Sequence, residues 1–145
     1  MVIALMGESC TGKTAIVEEL GKRVPIEKFA GKDYFRMAKS PSAAEETFKE
    51  YLKGKQDQKD IAVFSISELD ELKFLPNNVL KIQCHAPLDV IIERFAKRIH
   101  GNMSPQVTAM LERKHGMFNE VEVDLSFDTT QYDVNFICDE ILKHC

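Results

Sequence analysis

Six apolar residues, Met1 to Met6, run without a break into GESCTGKT, Gly7 to Thr14, and this junction constrains the fold more than any other stretch of the chain. A short unbroken apolar run ending at a small, polar, glycine-bracketed loop reads as a strand buried on both faces, the kind found in parallel sheets. Val2 to Met6 is that strand. Beyond the loop there is no further punctuation, and Lys13 to Arg23 places Ile16, Val17 and Leu20 on one face of a helix. The loop has the spacing G-x-x-x-x-G-K-T, with Gly7, Gly12, Lys13 and Thr14 in the fixed positions. Its glycines let the backbone curl inward, so that the amides of the loop, which also includes Glu8, Ser9, Cys10 and Thr11, point at an anion. Lys13 adds a mobile positive charge and the Thr14 hydroxyl is a magnesium ligand. An anion held there sits at a helix N-terminus, where free N–H groups and the helix dipole favour it.

The remaining elements alternate. Val24 to Ala30 reads as a short strand, and Lys32 to Lys39 as a short helix that stops at Ser40-Pro41. Ser42-Ala-Ala-Glu45 has the form of a capping box opening a helix whose apolar positions are Ala44, Phe48, Tyr51 and Leu52. After a polar connector, residues 53–60, come two more strand-like runs, Ile61 to Ile66 and Val79 to Cys84. Pro87 opens a helix to about Ile99, and Ser104-Pro105 opens another that stops near Gly116. Leu125 to Thr129 is the last strand, and Val134, Ile137, Cys138, Ile141 and Leu142 form the stripe of a closing helix. Strands alternating with helices predict a parallel α/β sheet of about five strands with helices on both faces. Ligands of such sheets bind at the carboxyl ends of the strands, where Gly7, Asp33, Ser67, Glu68 and His85 fall.

At 145 residues the chain is expected to form one domain, residues 1–145. Nineteen Lys and Arg against 23 Asp and Glu give a formal net charge of −4, so a broad nucleic-acid or anionic-membrane surface is not expected and any anion site is local. Cys10, Cys84, Cys138 and Cys145 lack metal-type spacing, and the chain carries neither a signal-peptide pattern nor an apolar run long enough to cross a bilayer. A reduced cytoplasmic protein is the expectation. Cys10 differs from the others in lying inside the loop, where oxidation can reach it.

The loop at the first strand, the small size and the helical hairpin late in the chain resemble the P-loop small-molecule kinases, especially the nucleoside monophosphate kinase-like group of adenylate and cytidylate kinases. The resemblance implies a three-layer P-loop NTPase fold with a small helical lid, here about residues 100–114, and binding of ATP with Mg2+. GKDYFR, Gly31 to Arg36, is similar to the adenylate kinase segment in which an Asp precedes a substrate-contacting Arg by three residues; Asp33 and Arg36 stand in that relation. ERFAKR, Glu93 to Arg98, sets Arg94 and Arg98 four apart on one helical face before GNMSP. The resemblance implies that they clamp the transferring phosphoryl group, whose oxygens gather negative charge. Arg113 is a further lid arginine on the same grounds. VDLSFDTTQYDVNFICDEIL resembles the strand-loop-helix ending of cytidylate kinase-like proteins and brings Asp128 to Thr130 to the adenine.

Some marks of these relatives are missing. The strand IAVFSI ends in Ser67-Glu68, where many P-loop enzymes carry a magnesium-organising Asp. The adenylate kinase Gly-Phe-Pro-Arg segment and the shikimate kinase Asp-x-Asp and triple glycine are also missing. The expected function is phosphoryl transfer from MgATP to a small acceptor, a nucleotide or nucleoside. Lys13, Arg94 and Arg98 are then the catalytic cations, Thr14 the metal ligand, and Asp33, Arg36 and Glu68 the acceptor side. A nucleotide-binding regulatory module or slow NTPase is the rival reading, favoured by the serine in the place of the Asp.

Overall fold

The structure, a computed structural model, describes all 145 residues. Its frame is an all-parallel sheet of Val2–Met6 (β1), Ile26–Ala30 (β2), Ile61–Ile66 (β3), Leu80–His85 (β4) and Leu125–Asp128 (β5), in the order β2-β3-β1-β4-β5. The helices are Lys13–Arg23 (α1), Pro41–Lys55 (α2), Leu88–Arg98 (α3), Pro105–Lys114 (α4) and Val134–Leu142 (α5). The expected α/β architecture with five parallel strands is present.

β1 is the central strand, paired with β3 on one side and β4 on the other, and all five of its residues are buried. Its side chains alternate between two cores. Val2, Ala4 and Met6 pack with Phe29, Phe64 and Ile66 against Ala44, Phe48 and Leu52 of α2. Ile3 and Leu5 face the other way and pack with Val63 and Ile82 against α1 and α5. Both faces are covered, which is why the apolar run in the sequence has no polar gaps. Phe48 is the hub of the first core, with ring centroids of Phe64, Phe29, Phe74 and Tyr34 at 5.0, 5.2, 5.2 and 5.4 Å. A third, smaller cluster of Cys10, Ala86, Ile91 and Leu111 joins the glycine-rich loop to α3 and α4.

Several boundaries shift from the sequence reading. β2 begins at Ile26, because Val24 is spent on ending α1, its N–H donating to the Leu20 carbonyl at 3.0 Å. The Lys32–Lys39 helix shrinks to a 3-10 segment, Asp33–Met37. α2 opens at Pro41 with Ser40 as its cap, the Ser40 Oγ accepting from the Ala43 N–H at 3.2 Å. The expected capping box at Ser42 therefore does not form: proline, with φ already helical, takes the first position, and Glu45 pairs with Lys73 at 3.0 Å instead. No helix is long and apolar enough to cross a membrane, and the four cysteines are free thiols.

Candidate active site

The loop between β1 and α1 sits at the carboxyl edge of the sheet. Gly7 is fixed by its N–H, which donates to the Ile66 carbonyl at 3.0 Å. A Cβ on Gly7 stands 2.5 Å from the Cys84 carbonyl oxygen of β4 and collides with the Thr11 hydroxyl, so only glycine fits between the strands. Gly12 has φ +99°, a left-handed conformation, and forms the cap of α1. Cys10 also has positive φ, 67°, an unusual setting for a residue with a side chain and a mark of a tightly wound loop.

Lys13 is folded back onto this loop. It is 8% exposed, and its Nζ donates to the carbonyls of Gly7 and Glu8, the latter at 3.0 Å. Burial lowers the pKa of this ammonium below that of an ordinary lysine. Thr14 is exposed beside it. The loop is braced from the far side of the chain: the Thr129 hydroxyl donates to the Thr11 carbonyl at 2.8 Å, and Arg94 Nη1 donates to the Cys10 carbonyl at 3.1 Å and to the Thr129 oxygen at 3.0 Å.

These residues enclose a cavity of about 570 Å³. Ser9, Cys10, Gly12, Lys13 and Thr14 line it from the loop, Arg94 and Arg98 from α3, and Ser65 and Ser67 from β3 and its end. Thr129, Tyr132, Asp133 and Val134 close the remaining side. Tyr132 is stacked on Phe136 at 5.1 Å with an interplanar angle of 18°, and the two rings are 44% and 42% exposed, leaving an open aromatic edge at the cavity mouth. Asp128, expected at the adenine, does not line the cavity: its carboxylate accepts from the Thr130 hydroxyl and amide at 2.6 and 2.8 Å, which holds its carboxyl below the usual range.

A second cavity of about 380 Å³ adjoins the first, and Ser67 lines both. Tyr34, Phe35 and Phe74 form its aromatic wall, and Glu45, Glu68 and Asp70 are among its polar groups. Glu68 thus faces this cavity, and its Oε1 accepts from Lys114 Nζ at 2.5 Å. Asp33 and Arg36 line neither cavity. The Asp33 carboxylate accepts from the Ala30 N–H at 3.0 Å, and the exposed Arg36 guanidinium lies 5.6 Å from the centroid of the Phe29 ring. Both side chains are engaged with the end of β2, on the adjacent residues Ala30 and Phe29, and point at neither cavity. Arg113 is exposed on α4.

The donor set fits a magnesium ion carried in on phosphate oxygens. Magnesium keeps several waters and needs only one or two protein oxygens when phosphates supply the rest. Thr14, Ser65 and Ser67 offer hydroxyls around the loop, whereas the one carboxylate lining the larger cavity, Asp133, accepts from the Phe136 N–H at 2.8 Å as the cap of α5. Tyr132, Ser65 and the bond of the Glu8 side chain to Gly116 escaped the sequence reading, and Thr129, expected with its neighbours at the adenine, lines the cavity and also braces the loop. Tyr132, Ser65 and Thr129 come from distant elements and share no spacing pattern with the loop.

No protein-family model and no curated protein match the sequence. Solved structures match over nearly its whole length. Shikimate kinase from Acinetobacter baumannii, solved in complex with shikimate, superposes with a TM-score of 0.65 at 13% identity, covering 99% of this chain and 91% of that one. A gluconokinase from Sinorhizobium meliloti 1021 gives 0.63 at 17%, covering 98% and 89%. The YorR protein from Bacillus subtilis, in complex with phosphorylated GDP, gives 0.64 at 20%, covering 99% and 95%. The chain has the fold of the P-loop small-molecule kinases.

Proposed function

We propose that the protein is an ATP- and Mg2+-dependent phosphotransferase that moves the γ-phosphoryl group to a small hydroxyl acceptor, with a nucleotide or nucleoside as the acceptor class to test first. The observation that carries the reading is the buried Lys13 ammonium in a glycine-bracketed loop that lines one cavity together with two arginines. The loop amides and Lys13 hold the β and γ phosphates, and Thr14, with Ser65 and Ser67 through water, holds the metal. Arg94 and Arg98 balance charge on the phosphoryl oxygens. The base rests near the Tyr132 edge and the acceptor enters the second cavity. There its oxygen bonds to the γ-phosphorus as the bond to the β,γ-bridging oxygen breaks, and its proton passes to Glu68. Such transfer asks mainly for positioning and charge stabilisation. Asp33 and Arg36 belong to the acceptor side in this reading, Arg36 by leaving the Phe29 face.

A phosphate-transfer screen over nucleosides, nucleotides, sugars and hydroxy acids, with calorimetry of MgATP on wild type and Lys13→Ala, tests the proposal. Lys13→Ala is expected to abolish tight MgATP binding, and Arg36→Ala to raise the acceptor KM with little change in ATP affinity. Equal MgATP affinity and turnover in wild type and Lys13→Ala removes the loop from the mechanism. Nucleotide binding with no transfer to any acceptor moves the protein to the rival class of nucleotide-binding modules.

A further inference from the structure

We infer that Glu8 is a positioning residue through which the phosphate loop sets the C-terminal end of α4, and with it the α3–α4 hairpin, for an occupied site. The inference rests on the nucleotide reading above in one respect, that phosphates enter the loop. Although Glu8 belongs to the loop, its side chain turns away from the cavity. It is 4% exposed, its Oε1 accepts from the Gly116 N–H at 2.9 Å, and His115 Nδ1 lies 3.5 Å from the same oxygen. A carboxylate this buried is costly to leave unpaired, so the amide and the imidazole fix where it points. Two residues further on, Cys10 packs with Leu111 of α4, and both are buried. Lys114 in the same turn pairs with Glu68. The end of α4 is therefore docked by carboxylates that follow two different strands, β1 and β3.

The backbone of Glu8 has a second task. Its carbonyl accepts from the Lys13 ammonium at 3.0 Å. To reach a phosphate, Lys13 has to leave that carbonyl, which then keeps only the Thr11 hydroxyl, donating at 2.8 Å, and the Glu8 peptide is freer to turn about that remaining bond. Its side chain carries the Gly116 amide, so the turn is felt 108 residues away in sequence. α3 packs on α4 and holds Arg94, whose guanidinium donates to the Cys10 carbonyl, so loop and hairpin are linked at both helices. What matters in this linkage is the reach of an acceptor oxygen rather than its charge. Glutamine keeps that oxygen at the same reach without the charge, and aspartate keeps the charge but is shorter by one methylene.

The test uses hydrogen exchange of residues 111–118, with and without a nonhydrolysable MgATP analogue, alongside the steady-state turnover of ATP. Both are measured for wild type, Glu8→Gln, Glu8→Asp and Glu8→Ala. In wild type and Glu8→Gln the analogue is expected to raise protection of these amides. In Glu8→Asp and Glu8→Ala that nucleotide-dependent change is lost and kcat falls roughly tenfold to hundredfold, while the KM for ATP stays within about threefold. If Glu8→Ala does not fold, the Gln and Asp variants decide. Wild-type behaviour of Glu8→Asp with failure of Glu8→Gln overturns the proposal, as does a wild type that binds the analogue with no change over residues 111–118. A wild type that binds no analogue in calorimetry overturns the nucleotide reading instead.

Discussion

The Thr129 hydroxyl donates to the Thr11 carbonyl and accepts from Arg94, and its methyl group stands where a Cβ on Gly12 comes within 3.1 Å. One small side chain thereby braces the loop, orients an arginine and explains the second glycine. Thr129→Val keeps the shape and removes the hydroxyl, leaving the Thr11 carbonyl and one arm of Arg94 without this partner. A loss of about 1–3 kcal/mol in urea unfolding is expected, together with weaker MgATP binding. An unchanged midpoint with unchanged affinity counts against the bracing role. Lys13 and Gly7 were legible in the sequence because both belong to a motif with fixed spacing inside a loop of eight residues. Thr129 was singled out only with its neighbours, as an adenine contact; its bracing of the loop was not legible, because the partner lies 118 residues earlier and a threonine at a strand end has no spacing to betray it. Glu68 was legible as a strand-end acid, but its engagement with Lys114 came only with the fold.

Among the elements, α2 and the α3–α4 hairpin make opposite use of burial. Phe48 of α2 is completely buried among four aromatic rings and lines neither cavity. Phe48→Ala is expected to cost about 3–5 kcal/mol of stability, read by denaturant unfolding. The folded fraction should bind MgATP as wild type does. The hairpin presents Arg94 and Arg98 to the cavity and buries few side chains of its own. Residues 100–110 are expected to become better protected from hydrogen exchange over bound nucleotide, and Arg94→Ala and Arg98→Ala each to lower kcat by about two orders of magnitude. Equal protection in both states and intact turnover in both variants reduce the hairpin to packing. Apolar spacing announced α2, and proline starts with glycine stops announced α3 and α4. The start of α2 misled because Ser40-Pro41 and Ser42-x-x-Glu45 both carry start signals, and the preset φ of proline decided between them.

At the scale of the whole molecule, alternation of strands and helices was enough to predict a parallel sheet, since the central strands β1 and β3 show their burial as local apolar runs even though the edge strands β2 and β5 do not. The strand order β2-β3-β1-β4-β5, the two cavities meeting at Ser67, and the absence of Asp33 and Arg36 from the lining of both depend on which elements become neighbours, and no local pattern encodes that. The three apolar clusters also differ in size. Thirteen buried residues hold one face of the sheet and 12 the other, whereas the hairpin's cluster has four buried members, Cys10, Ala86, Ile91 and Leu111, helped by partly buried side chains and the contacts of Glu8, Glu68 and Arg94. With about 1.5–3 kcal/mol for a fully buried large apolar side chain, and less for alanine and cysteine, detaching the hairpin costs a fraction of unfolding the frame. The native state therefore has a low rung on its free-energy ladder, reached while the sheet stays folded. Cys10 is 7% exposed in the closed form and belongs to the cluster that parts, so the rate at which its thiol becomes reactive is a clock for partial opening of the native protein.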